Sequence, residues 1–256
     1  MNENTLFLET DRGYSIAARS EVGDPPWIIF LGGFRSDMEG TKAQYLSNWC
    51  KKNERAFLRF DYSGHGSSGG LFEEGTISRW TEDTLEVIQA FTEGSCILVG
   101  SSMGGWIMLR VALELGDRVS GLLGIAAAPD FTRDLITRDL TLSQRQYLEE
   151  HGQITLTSEY DPEGFILKKA FIVNGEECCL LDQPLDIQVP VRLLQGCQDN
   201  EVPWRTALQL SKSLEATDVR IQLLKDGDHR LSSPTQLALI GSTLEELLHT
   251  AESNSR

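Results

Sequence analysis

Nowhere in the 256 residues does an apolar run approach the ~18 to 20 residues a bilayer-spanning helix requires, so no integral membrane span is expected. The first residues, Met1-Asn2-Glu3-Asn4, lack the basic start and hydrophobic stretch of a secretory signal and are too acidic for a transit peptide. Cysteine is scarce and odd in number. The five thiols include adjacent Cys178 and Cys179 but no C-x-x-C pair, which argues for reduced cysteines and against a disulfide framework or zinc site. A cytoplasmic protein is expected. Positive charge is also short: 23 Lys and Arg stand against 38 Asp and Glu, a formal net charge of -15. Nucleic acids and anionic membranes attract clustered basic residues through phosphate contacts, so neither is an expected partner. Internal repeats and low-complexity tracts are missing too.

What is present is an alternation of strand and helix. With 40% hydrophobic residues the chain can bury a substantial core. Residues Thr5 to Glu9 and Tyr14 to Arg19 read as an opening antiparallel hairpin around Thr10-Asp11-Arg12-Gly13. Further strands are expected at Trp27 to Leu31, Ala56 to Phe60, Cys96 to Val99, Val119 to Ala126, Val191 to Gln195 and Val219 to Leu224. Helical spacing marks Lys42 to Asn53, Ile77 to Phe91, Trp106 to Leu115 and Pro234 to Thr250. The fold class is therefore α/β, a mostly parallel central sheet flanked by helices. The alternation breaks between Pro129 and Ile187, where Phe131, Leu135, Ile136, Leu140, Leu142, Tyr147, Phe165, Ile166 and Phe171 form helix-like patches. The expected organisation is a core of residues 1–128 and 188–256 carrying a helical cap insertion at 129–187; two ordinary core helices are the alternative.

Gly100-Ser101-Ser102-Met103-Gly104, behind Cys96-Ile97-Leu98-Val99, reads as a nucleophile elbow. In such a strand-to-helix turn the serine backbone is strained, and the flanking glycines remove side chains that would collide. The spacing makes Ser102 the nucleophile and puts Ser101 behind the turn. An ordinary serine hydroxyl is a poor nucleophile at neutral pH and needs a base oriented by a third group. Of the four histidines, His229 directly follows the last predicted strand, in Asp226-Gly227-Asp228-His229-Arg230; His65, His151 and His249 read as structural or surface residues. Asp199, after the strand Val191 to Gln195, is the expected acid, with Glu201 a substitute and Asp228 placed too close in sequence to fold back. The order Ser102, Asp199, His229 is the order expected of an α/β-hydrolase. Gly32, Gly33 and Phe34 follow the strand Trp27 to Leu31, so the backbone N–H groups of Phe34 and Met103 are the expected oxyanion donors; Phe34 can equally be a pocket wall, or both. Gly64-His65-Gly66-Ser67-Ser68-Gly69 matches the dinucleotide pattern G-x-G-x-x-G, but no helical segment opens after it, so a structural turn is expected and no cofactor or metal is.

The segments Leu31 to Ala43, Arg59 to Ser68 and Gly100 to Trp106 resemble the acyl-glucuronide esterase and palmitoyl-protein thioesterase group of α/β-hydrolases. Ala126-Ala127-Ala128-Pro129-Asp130-Phe131, Val189 to Leu194, Val202-Pro203-Trp204 and Asp226 to Arg230 are similar too, so the likeness spans nearly the whole chain. It implies a Ser102, Asp199, His229 triad and two-step hydrolysis, through an acyl-enzyme, of a small-molecule acyl ester or thioester or of an S-acylated protein. Animal members of the group act in mitochondria behind a cleaved targeting peptide; this chain, beginning almost at its first strand, is expected to be a bacterial relative. A serine peptidase, a C–C bond hydrolase and a non-catalytic binding protein on the same scaffold are the alternatives.

Overall fold

A computed structural model of the chain describes residues 5–158 and 161–254. Among the described residues there are ten strands: β1 (Leu6–Glu9), β2 (Ser15–Glu21), β3 (Asp24–Leu31), β4 (Arg55–Phe60), β5 (Cys96–Ser101), β6 (Val119–Ile125), β7 (Gln153–Ser158), β8 (Asp161–Lys168), β9 (Val191–Gly196) and β10 (Val219–Leu224). The α-helices are α1 (Thr41–Lys52), α2 (Ile77–Phe91), α3 (Met103–Leu115), α4 (Leu142–His151), α5 (Lys169–Glu177), α6 (Arg205–Ser213) and α7 (Pro234–Asn254).

Eight strands form one sheet in the order β1-β2-β4-β3-β5-β6-β9-β10. β1 and β2 pair antiparallel, as does β2 with β4; every later pairing is parallel. Parallel strands need crossover helices, so both faces are covered and the central strands are apolar throughout. On one face α2 and α3 pack Trp80, Val87, Ile88, Trp106 and Leu109 into the core. On the other, α1 and α7 contribute Ala43, Leu46, Ile240, Leu244 and Leu248. Helix α2 shows how local sequence builds this. Ile77, Trp80, Thr84, Val87 and Ile88 recur at three- and four-residue spacing and are buried, and the Thr76 hydroxyl caps the start by accepting from Arg79 N–H at 3.1 Å.

The register places chemistry at one edge. Leu31 pairs with Gly100, Ser101 with Ile125, Ile125 with Leu194, and Leu224 with Gly196, so the C-terminal ends of β3, β5, β6, β9 and β10 lie side by side. The loops leaving those ends carry Phe34, Ser102, Asp199 and His229.

The 129–187 segment differs from the helix-like reading. After a π-helical turn (Thr132–Thr137) and α4, β7 and β8 form a separate antiparallel hairpin before α5. Phe165 and Ile166, expected in a helical patch, are on β8. The physical reason is period: Ile154 and Leu156 alternate with Gln153 and Thr155, and Leu156 faces Phe165 in the register. Among the described residues no helix is long and apolar enough to cross a membrane.

Candidate active site

Ser102 stands between β5 and α3 at φ 55°, ψ -121°, a left-handed backbone that an L-residue adopts only under constraint. The constraint is visible. Ser102 N–H donates to Ile125 C=O (3.0 Å), while its own carbonyl accepts from Gly105 N–H (2.8 Å) and Ala128 N–H (3.0 Å). Side chains at the flanking glycines would strike backbone: one at Gly100 would hit Gly104, and one at Gly104 would hit Leu31 and Gly32. Ser101, as expected, is buried behind the turn.

His229 and Asp199 reach the same point from separate loops. His229 Nε2 lies 3.0 Å from Ser102 Oγ, and Nδ1 lies 2.8 Å from Asp199 Oδ2. The two loops are braced together by Gln198 N–H on Gly227 C=O (2.9 Å) and Cys197 N–H on Leu224 C=O (2.8 Å). The Asp199 side chain is wholly buried, but both oxygens have donors. Oδ1 accepts from Glu201 N–H (2.9 Å) and Val202 N–H (2.7 Å); Oδ2 accepts from Gln195 Nε2 (2.9 Å) as well as His229. Burial pushes the carboxyl up, yet the His229 hydrogen bond and charge and the two amides outweigh it and hold Asp199 below the ordinary carboxylate range. A buried carboxylate that stays ionised orients the imidazole with its other nitrogen toward the serine.

The alternatives weighed from sequence land elsewhere. Glu201 Oε2 approaches Nε2, not Nδ1, at 3.4 Å. Asp228 Oδ1 turns away to accept from Leu231 N–H (3.0 Å). His151 stacks on Tyr147 in α4 at 4.0 Å between ring centroids, His249 is exposed on α7, and His65 is buried beside the Phe34 loop.

Gly33 brings the loop after β3 against the serine: a methyl there would sit 3.3 Å from Ser102 Cβ. Met103, the first residue of α3, has an N–H with no intrahelical acceptor, and the helix N-terminus adds partial positive charge at this spot. Phe34 is half-buried, and its ring meets Phe72 (5.0 Å), Phe165 (5.4 Å), Phe171 (5.6 Å), Phe131 (5.9 Å) and Trp80 (6.1 Å). Three of these rings come from the 129–187 segment, so its apolar residues border the loop beside Ser102.

Sequence reading missed three supporting groups. Gln195, next to last in β9, reaches the acid; a polar residue near the end of an apolar strand is its signal. Lys42 Nζ donates to Arg230 C=O (2.6 Å), tying α1 to the His229 loop, and burial, which outweighs the favourable charge of Asp228, pulls its pKa down to about 8. Asp61, at the end of β4, accepts from Met38 N–H (2.6 Å) and Ser67 N–H (2.7 Å). Among the described residues no group of three or more His, Cys, Asp or Glu is arranged to hold a metal ion.

A family model described as serine aminopeptidase, S33 (Hydrolase_4), matches residues 28–172. A curated relative, palmitoyl-protein thioesterase ABHD10, mitochondrial, is 39% identical in Mus musculus over 94% of this chain and 82% of its own length. The Homo sapiens protein of that name is 38% identical over 94% of this chain and 79% of its own. Among solved structures, a putative hydrolase from Agrobacterium vitis S4 superposes with a TM-score of 0.91 at 41% identity, covering 96% of this chain and 99% of that one. The mouse alpha/beta hydrolase domain-containing protein 10 gives 0.90 at 38% identity, covering 96% and 98%.

Proposed function

From the premise that the chain belongs to the Hydrolase_4 family of α/β-hydrolases, we propose that it hydrolyses carboxylic esters or thioesters by way of an acyl-enzyme on Ser102. The observation carrying this reading is the hydrogen-bonded relay from Ser102 Oγ through His229 to a buried, ionised Asp199. His229 Nε2 takes the hydroxyl proton as Oγ attacks the acyl carbonyl. The Phe34 and Met103 N–H groups receive the oxyanion, each worth on the order of 10²-fold in rate. The imidazolium then protonates the departing alkoxide or thiolate, and a water repeats the sequence to free the acid and restore the serine. Relatives named palmitoyl-protein thioesterases support acyl substrates, a small ester or thioester or an S-acylated protein. In this reading residues 129–187 form a cap whose Phe131, Phe165 and Phe171 wall the acyl side, and the five free thiols suit a cytoplasmic setting.

A fluorophosphonate probe tests the assignment. It should tag the wild type, lose the tag in Ser102→Ala, and be outcompeted by p-nitrophenyl acyl esters that the enzyme turns over. An untagged wild type that hydrolyses neither esters nor S-acyl peptides would end the proposal. The description of the matched family favours one second reading, an aminopeptidase, which turnover of aminoacyl p-nitroanilides without ester turnover would select.

A further inference from the structure

Resting on the reading of the Phe34 N–H as an oxyanion donor, we propose that His65 is a positioning residue: its Nε2 clamps the loop that carries this amide. The glycine loop after β4 grips the loop after β3 at three points. Tyr62 Oη donates to Gly32 C=O at 3.3 Å, Arg35 N–H donates to His65 Nε2 at 3.2 Å, and Met38 N–H donates to Asp61 Oδ1 at 2.6 Å. Phe34 lies inside the gripped span. The Arg35 N–H belongs to the peptide unit that follows Phe34, so holding it restricts rotation about the Phe34 backbone. Arg35 needs holding, because its φ of 59° is left-handed and unfavourable for a side chain of that size.

The imidazole is built for this one bond. Only 4% of its surface is exposed, and its ring packs against Trp80 (5.1 Å) and Phe72 (5.2 Å), two of the rings that also meet Phe34. Its Nδ1 lies 3.2 Å from Ser63 C=O. A carbonyl only accepts and an amide N–H only donates, so Nδ1 must carry the proton and Nε2 must present its lone pair. The glycines serve the same geometry, since a side chain at Gly66 would run into the Asp61 carboxylate. A pattern that resembled a phosphate cradle thus acts on the protein's own backbone.

Protonation would open the clamp, since a second ring proton on Nε2 would face the Arg35 N–H. Burial opposes that charge most strongly; Ser63 C=O and the Asp83 carboxylate from α2 favour it, Arg35 opposes it, and the balance lies below the ordinary histidine range. Buried Tyr62 is the other titratable neighbour. The clamp is therefore closed at neutral pH and opens only in acid.

The test compares His65→Phe, which keeps a ring but loses the acceptor, with His65→Gln, whose Oε1 sits as many bonds from Cβ as Nε2 does and does not titrate. With p-nitrophenyl esters at pH 8, His65→Phe should lose about 10- to 100-fold in kcat with KM within about threefold, and His65→Gln should recover to within about threefold of wild type. A folded His65→Phe with wild-type kcat, or a His65→Gln no better than His65→Phe, would each overturn the inference. If His65→Phe does not fold, His65→Leu, which also lacks the acceptor, replaces it in the same comparison. Fluorophosphonate tagging of the wild type separates the two failures: an untagged wild type sinks the hydrolase reading, whereas a tagged, active wild type with indifferent His65 variants sinks only the clamp.

Discussion

Asp199 is where local chemistry and stability meet, because its two oxygens receive one side-chain amide, two backbone amides and the imidazole. Asp199→Asn keeps the shape but offers His229 Nδ1 a group that can also donate, so the tautomer needed at Ser102 is no longer enforced; kcat should fall about 10³- to 10⁴-fold in a folded protein. The same carboxylate gives a pH signature. Its folded pKa is depressed, so its contribution to stability is fully present above the unfolded value of about 3.9 and is lost as pH falls through the lower folded value. Urea midpoints of wild type and Asp199→Asn should therefore converge as pH drops below about 4; a gap unchanged from pH 7 to 3 would contradict the assigned cause. The convergence of Ser102, His229 and Asp199 was legible because each lies in a turn or loop that follows a strand, and strand ends share an edge in a parallel sheet. His65 and Asp61 were not given roles, because what they touch lies 30 and 23 residues away in a loop without periodicity.

At the scale of elements, one carboxylate closes the base of the proposed cap. Asp130 has a positive φ of 57° and a wholly buried side chain; Oδ1 accepts from Leu180 N–H and Oδ2 from Leu181 N–H, both at 2.9 Å. Arg133 lies 3.4 Å from Oδ2, and burial still pushes the carboxyl up against these favourable contacts. Asp130→Ala would leave two amides without an acceptor, each costing roughly 1 to 3 kcal/mol while it stays buried. The expected result is faster hydrogen exchange across the 131–180 region with the β5 and β6 amides still protected; uniform loss of protection would show that Asp130 supports the whole fold and not the clasp. Helix α2 was readable because its apolar residues repeat with helical period over 15 residues. The β7–β8 hairpin was not, because four alternating residues are too short a signal beside neighbours that suit a helix.

For the molecule as a whole, the alternation of strands and helices made the α/β class legible, while the strand order, with β4 between β2 and β3, and the antiparallel junction of β2 with β4 had to be seen. Charge acts at this scale too. A protein of formal net charge -15 repels an anionic substrate over distances comparable with the Debye length, about 10 Å at 0.1 M salt. Arg35 opposes this locally: it is exposed at the site, with its guanidinium 5.3 Å from the Phe165 ring and 5.8 Å from the Phe72 ring. The two fields give opposite salt dependences. If the global charge governs encounter, kcat/KM for an acyl-CoA thioester should rise several-fold from 20 to 300 mM NaCl, while that for an uncharged p-nitrophenyl ester of equal chain length stays level. A fall for the acyl-CoA alone would mean that the positive charge at the site mouth outweighs the acidic surface and draws anionic leaving groups in.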